Sequence, residues 1–340
     1  MRNKGYLVDK LANSMIRVRQ IFKEFVWWSS EGAKLIKFRF IVNLTLFAFA
    51  ISWNAISSPL TFGTPVRLSD SVNSGFNEYA PCLSTDGRRL YFSSDRPDGF
   101  GSYDVYIAHR KSGVWQEATN VGPQINTEFE EGEPCLTSDD KLLYFYSSRR
   151  PVEDVESNFF VHNRGATHLR VAKVLKGGFG ESWMLPESIN ASLHSNRPFI
   201  STDNRMLFFA AFGRAGNYGK WDVWASTISR GGYGIPYNLG VEINSSLRQS
   251  SASLSADGDH LYYAQQVEEE SEWMGIRPAP MCAITVAKSD RGSFGNPVRT
   301  NIPIGVIDSA MMARDGSGIY YSLYSGDNYD IWFAPLTGAP

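Results

Sequence analysis

Cysteine is scarce in this chain, and the little present lacks the spacing of a metal or redox site. Cys82, Cys135 and Cys282 are the only three in 340 residues, with no Cys-x-x-Cys pair, which removes zinc-ribbon and thioredoxin-like chemistry. His109, His162, His168, His194 and His260 show no ligand spacing either, so no metal site is expected. A Gly-x-Ser-x-Gly elbow is missing, which excludes an attached serine hydrolase of that type. No glycine-rich phosphate loop of the P-loop or dinucleotide kind occurs, so no nucleotide cofactor is expected. Basic charge is also short over most of the length. Residues 40–340 hold 24 Lys/Arg against 32 Asp/Glu, which argues against a nucleic-acid partner.

Long hydrophobic runs are few. The longest is Phe40-Ile41-Val42-Asn43-Leu44-Thr45-Leu46-Phe47-Ala48-Phe49-Ala50-Ile51, about a dozen residues against the ~20 of a spanning helix. It follows a basic stretch, since residues 1–39 hold nine Lys/Arg and three Asp/Glu. Ala48-Phe49-Ala50 has the small-x-small form of a cleavage site. Residues 1–58 therefore read as a basic leader with an export signal or an uncleaved signal anchor. Leu7, Leu11, Met15, Val18, Phe22 and Phe25 can also share one face of a surface helix. Either reading puts the remainder in the periplasm or outside the cell, free or tethered to the inner membrane, with membrane contact only through this segment.

What is abundant is repetition. Pro81-Cys82-Leu83-Ser84-Thr85-Asp86-Gly87 leads into Leu90-Tyr91-Phe92-Ser93-Ser94 and then Tyr103-Asp104-Val105-Tyr106. This is strand, tight turn, strand, loop, strand, and the Asp-Gly turn between apolar runs is a strong hairpin signal. The unit recurs with turn aspartates at Asp86, Asp139, Asp203, Asp257 and Asp315, a period of roughly 50–60 residues built of short strands, as in a β-propeller. A fourth strand is marked by an aromatic, often followed by Gly: Trp115, Phe179-Gly180, Tyr233-Gly234 and Phe294-Gly295. The fifth repeat lacks this tail, while residues 61–68, with Phe62-Gly63, stand alone before the first. The expected fold is all-β: residues 59–340 form a five-bladed β-propeller closed by an N-terminal strand, after the leader of residues 1–58.

Pro-x-Leu-Ser-x-Asp-Gly-x-x-Leu-Tyr-Phe-Ser-Ser-x-Arg, followed by Tyr-Asp-Val-Tyr, resembles the WD40-like "PD40" repeats of the TolB-type periplasmic propellers. The resemblance spans roughly residues 61–334. Ala252 and Ala310 replace the opening proline in blades four and five, and TolB-type propellers have six blades where five are counted here. What the resemblance implies is an exported, non-enzymatic propeller that binds an envelope protein or a glycan.

Repeated polar residues read as structural. Asp104, Asp222 and Asp330 precede the third strand, and Asn73, Asn126, Asn190 and Asn244 are expected to bond loop backbone. Residues that differ between blades mark the candidate site. At the start of the innermost strands stand Glu78, Glu131, Ser195 and Gln249, with Asp308 one place off register, and Glu133 and Arg197 also depart from their counterparts. Long insertions at residues 150–167 and 265–280 bring Phe159, Phe160 and Trp273 to the same face. No residue is assigned a catalytic role. The alternative is a glycan-active hydrolase in which Glu78, Glu131 and Asp308 supply the carboxylate pair. Cys82 and Cys135 share a repeat position; two small buried residues, or a disulfide in an oxidising compartment, both fit.

Overall fold

The computed structural model describes residues 61–149, 166–267, 280–290 and 292–338. Phe159, Phe160, Trp273 and the leader lie outside them. Five antiparallel sheets follow one another, each with its first strand innermost. Blade one has β2 (Glu78–Leu83), β3 (Arg89–Ser94), β4 (Asp104–Lys111) and the short outer pieces β5 (Val114–Trp115) and β6 (Thr119–Asn120). Blade two has β7 (Glu131–Leu136), β8 (Leu142–Ser147), β9 (His168–Leu175) and β10 (Gly178–Met184). A helical turn, α1 (Glu187–Asn190), leads to β11 (His194–Ile200), β12 (Met206–Phe212), β13 (Trp221–Ser229), β14 (Gly232–Tyr233) and β15 (Tyr237–Asn238) of blade three. Blade four has β16 (Gln249–Leu254), β17 (His260–Gln266), β18 (Cys282–Asp290) and β19 (Ser293–Arg299). Blade five has β20 (Ile307–Met312), β21 (Gly318–Tyr324) and β22 (Tyr329–Pro335). Its fourth strand is β1 (Val66–Arg67), antiparallel to β22 with Val66 opposite Phe333 and Arg67 opposite Trp332.

The tail aromatics reach from one blade to the one before. Phe179 meets Tyr91 edge-on with ring centroids 6.3 Å apart, and Phe294 meets Phe208 at 6.2 Å. Phe62 meets Tyr262 at 6.0 Å, and the Tyr233 and Tyr144 hydroxyls lie 2.9 Å apart. Flat rings fill the wedge between twisted sheets, which explains their return once per repeat.

The hairpin turns behave as their residues dictate. Gly87 takes φ 67°, a left-handed value that a side chain disfavours. Asp86 Oδ1 accepts from Arg88 N at 3.0 Å and from Ser84 Oγ at 2.6 Å. Asp203 and Asp257 repeat both bonds. The connection asparagines do something the sequence reading did not anticipate. Asn126 Oδ1 accepts from Val105 N at 2.8 Å and its Nδ2 donates to Val105 O at 2.9 Å, so it staples the loop to the third strand of the blade just left. Asn190 and Asn244 do the same with Leu169 and Val223. Blade four lacks this residue, and Asn301 instead brackets Phe62, accepting from its N at 2.8 Å and donating to its O at 2.7 Å.

Asp104 and Asp222 hold the loops between second and third strands. Asp222 accepts from Tyr218 N at 2.6 Å and Gly219 N at 3.1 Å. That loop presses on the next blade's entry. A Cβ on Gly219 would stand 2.4 Å from Ser245 O and 2.6 Å from Leu247 O. Gly219→Ala is therefore expected to cost about 1–3 kcal/mol by forced displacement of backbone, read as a lower urea midpoint.

Candidate functional site

The channel is organised by a bulge repeated in every inner strand. Pairing with the second strand slips between Tyr79 and Cys82, Gly132 and Cys135, Asn196 and Phe199, Ser250 and Ser253, and Ile307 and Ala310. Ala80, Glu133, Arg197 and Ser251 take positive φ there. A bulge frees a backbone N–H that must find another acceptor. The neighbouring blade supplies it. Ala80 N donates to Ser309 Oγ at 2.8 Å, Glu133 N to Ser93 Oγ at 2.7 Å, and Arg197 N to Glu133 Oε2 at 2.7 Å. The prolines at 81, 134 and 198 follow the bulged residues; proline has no N–H to satisfy, so a bulge tolerates it inside a strand.

This geometry brings three predicted residues together. Arg197 Nη2 lies 2.6 Å from Asp308 Oδ1, and its Nε lies 3.4 Å from Glu133 Oε1. Arg248, which the sequence reading missed, adds a second guanidinium at 2.9 Å from the same Asp308 oxygen. Burial alone would raise the Asp308 carboxyl, but the charges of Arg197 and Arg248 overcome it and hold the group at about 2. Burial pushes Glu133 up, against the opposing charge of Arg197. Against Glu133 and Arg197, a cavity of about 40 Å³ is lined by the bulges and by Pro81, Pro134 and Pro198. It is large enough to admit water. Towards the hairpin turns, Arg314 Nη2 donates across the ring to Leu136 O at 2.6 Å and Ile200 O at 3.2 Å. Its signal was an arginine at the turn position held by Thr85, Ser138, Thr202 and Ala256 in other blades.

Glu78, Glu131 and Gln249 are placed differently from the expectation. All three are wholly buried, so the first position of the inner strand faces into its blade. Glu78 accepts from Ser74 N at 3.0 Å, Ser74 Oγ at 2.6 Å, Ser94 Oγ at 3.1 Å and Arg96 Nε at 3.3 Å. Glu131 is bound alike by Thr127, Ser147 Oγ at 2.6 Å and Arg149 Nε at 3.1 Å. Gln249 accepts from Ser245 N at 2.8 Å and donates to Ser245 Oγ at 2.7 Å. These groups clamp the entering loop to the end of the second strand. Glu133 and Arg197, two places on from Glu131 and Ser195, reach the lumen instead, because the bulge with its positive φ breaks the alternation of side chains there.

The mouth is aromatic. Tyr79 packs on Tyr329 with centroids 4.8 Å apart and on Tyr103 at 5.5 Å. Across from them, the His194 ring stacks on Trp221 at 6.0 Å. Burial lowers the His194 imidazole, so it is neutral at pH 7. Burial raises the Tyr79 hydroxyl. Cys82 and Cys135 are free buried thiols, and Cys82 Sγ accepts from Leu136 N at 3.3 Å, a further stitch between blades one and two. Among the described residues, no group of three or more His, Cys, Asp or Glu is arranged to hold a metal ion.

No family model matches the sequence, and no curated protein does. Solved structures do. An α-L-arabinofuranosidase from Lactobacillus brevis is similar at 14% identity over 80% of this chain and 94% of that one, with a TM-score of 0.51. TolB from Acinetobacter baumannii is similar at 12% identity and a TM-score of 0.46. A putative TolB from Agrobacterium tumefaciens follows at 16% identity over 74% and 71% of the two chains, TM-score 0.45. The match covers 78% of this chain but only 55% of the Acinetobacter protein. At these identities the likeness is one of fold.

Proposed function

We propose that the chain is an exported, non-enzymatic propeller that acts as a binding platform for an envelope protein or a glycan. The observation that carries this reading is the pairing of the candidate carboxylates with arginines. Glu133 and Asp308 lie against Arg197 and Arg248, and Glu78 and Glu131 are buried against Arg96 and Arg149. A glycosidase needs one carboxyl that holds a proton and a second that is free to attack or activate water, both facing open space. Asp308 is ionised near neutrality, but Arg197 and Arg248 both hold its Oδ1, and Glu133 is closed in against Arg197. Rigid presentation is the mechanism: stacked blades hold one loop face in fixed geometry, so little order is lost on binding. The pairing of Val66–Arg67 with β22 supports residues 61–68 as the segment that closes the ring. Export rests on the leader sequence, and no helix among the described residues is long and apolar enough to cross a membrane.

The test is turnover by the full-length protein on a panel of polysaccharides and aryl glycosides. No turnover is expected. Hydrolysis abolished by Glu133→Gln or Asp308→Asn, in variants that remain folded by circular dichroism, would replace the platform with a hydrolase.

A further inference from the structure

We infer that the channel-mouth face docks a cationic, apolar protein segment, an inference that rests on the platform reading. The register of β2, β3 and β4 sets Glu78 opposite Ser94 and Ser94 opposite Asp104. The entry loops and the loops between second and third strands therefore share this one face. On it Phe76 is 44% exposed, Phe100 49%, Phe129 39% and Tyr324 40%. They form one sector over blades five, one and two. Asn328 Nδ2 donates to Ser74 O at 3.2 Å and to Phe76 O at 2.5 Å, and Tyr79 joins Tyr329 to Tyr103. A Cβ on Gly101 would stand 1.7 Å from Phe129 O, so Phe100 and Phe129 are carried by touching loops. The hairpin turns between first and second strands at the other end carry no aromatic residue, being built from Ser, Thr, Ala, Asp, Asn, Gly, Arg and Lys. Exposed rings gathered on one side of a propeller mark a contact surface.

Charge decides what it takes. Among the described residues, Arg96, Arg149, Arg248 and Arg214 of this face are turned inward. Arg96 is engaged by Glu78 and Val72 O, Arg149 by Glu131 and Ile125 O, and Arg248 by Asp308. Arg214 donates to Ser188 O and Ile189 O. The carboxylates Asp98, Glu128 and Asp327 stand exposed beside the rings, and none makes an ion pair or hydrogen bond among the described residues. A surface of aromatic rings edged with free carboxylates complements lysine or arginine side chains twice over, through charge and through cation–π contact. A protein segment fits best, because apolar residues alternating with cations would meet both the rings and the acids.

The test is fluorescence anisotropy of the full-length protein with three labelled probes: a peptide alternating lysine and leucine, its glutamate counterpart, and a chitosan oligomer. The lysine peptide should bind, more weakly at high salt. Asp98→Asn, Glu128→Gln and Asp327→Asn together remove charge from groups without a partner among the described residues, and should raise its dissociation constant about tenfold or more. Phe76→Ala with Phe129→Ala should weaken it as well. Equal binding of the glutamate peptide, or indifference of the lysine peptide to the triple variant, overturns the inference. Phe76- and Phe129-dependent binding of chitosan but not of the lysine peptide overturns the protein segment and leaves the platform standing. No probe bound by this face removes both.

Discussion

Asp308→Ala is expected to lower the unfolding free energy by about 3–5 kcal/mol, because it strands Arg248 in the channel wall and leaves Arg197 only its longer contact with Glu133. Arg197 is only 8% exposed and has Asp308 as its shortest ion-pair contact; Arg248 depends on the same oxygen. Urea titration monitored by the abundant buried aromatics reads the loss. The pH dependence carries a second signature. Asp308 is held below its ordinary 3.8, at about 2. A carboxyl lowered on folding stabilises fully above its unfolded value, and that stability drains away as the pH falls from 3.8 towards 2. Glu133 has the opposite sign. Burial raises it, so its contribution is present at low pH and lost as the pH rises through its folded value. Asp308→Asn should therefore flatten the acid limb of the stability profile and move the Glu133 limb to lower pH, because the Asp308 charge helps to raise that carboxyl. An unchanged acid limb would show that the cluster does not set acid stability.

Phe62→Ala is expected to cost about 3–5 kcal/mol, the usual range for emptying a buried aromatic site. Phe62 is 3% exposed, lies on Tyr262 of blade four, and is bracketed by Asn301. It is also joined to Leu336, beyond the end of β22. Phe62 thus ties the first described residues to both of the last two blades, through its ring to Tyr262 and through its backbone to Asn301 and Leu336. Loss of its packing should appear first as faster amide exchange in β22 and β1, ahead of blades two and three, whose junctions it does not touch. Uniform exchange with an unchanged midpoint would mean that residues 61–68 contribute nothing to holding the sheets together.

The architecture was legible because a propeller writes each blade separately. Turn aspartates, alternating aromatics and the tail Phe, Trp or Tyr each report local geometry, and their fivefold return counts the sheets. The candidate site was only partly legible. Glu133, Arg197 and Asp308 were found because they break the repeat, and they do meet. Arg248 and Arg314 break it too, but their partners lie 60 and 178 residues away, beyond any local pattern. Glu78 and Glu131 were expected in the lumen because they start the inner strand. One residue of register turns them into the blade, where Ser74, Thr127, Arg96 and Arg149 take their oxygens.

Sequence by itself determined the number of sheets, the strand order within each and the residues that set the turns, because hairpin chemistry acts between neighbours. Tertiary structure alone decided which side chains face the channel and which arginines are consumed. The bulge in each inner strand shifts the alternation, and ion pairs across the axis form only once five separate blades converge.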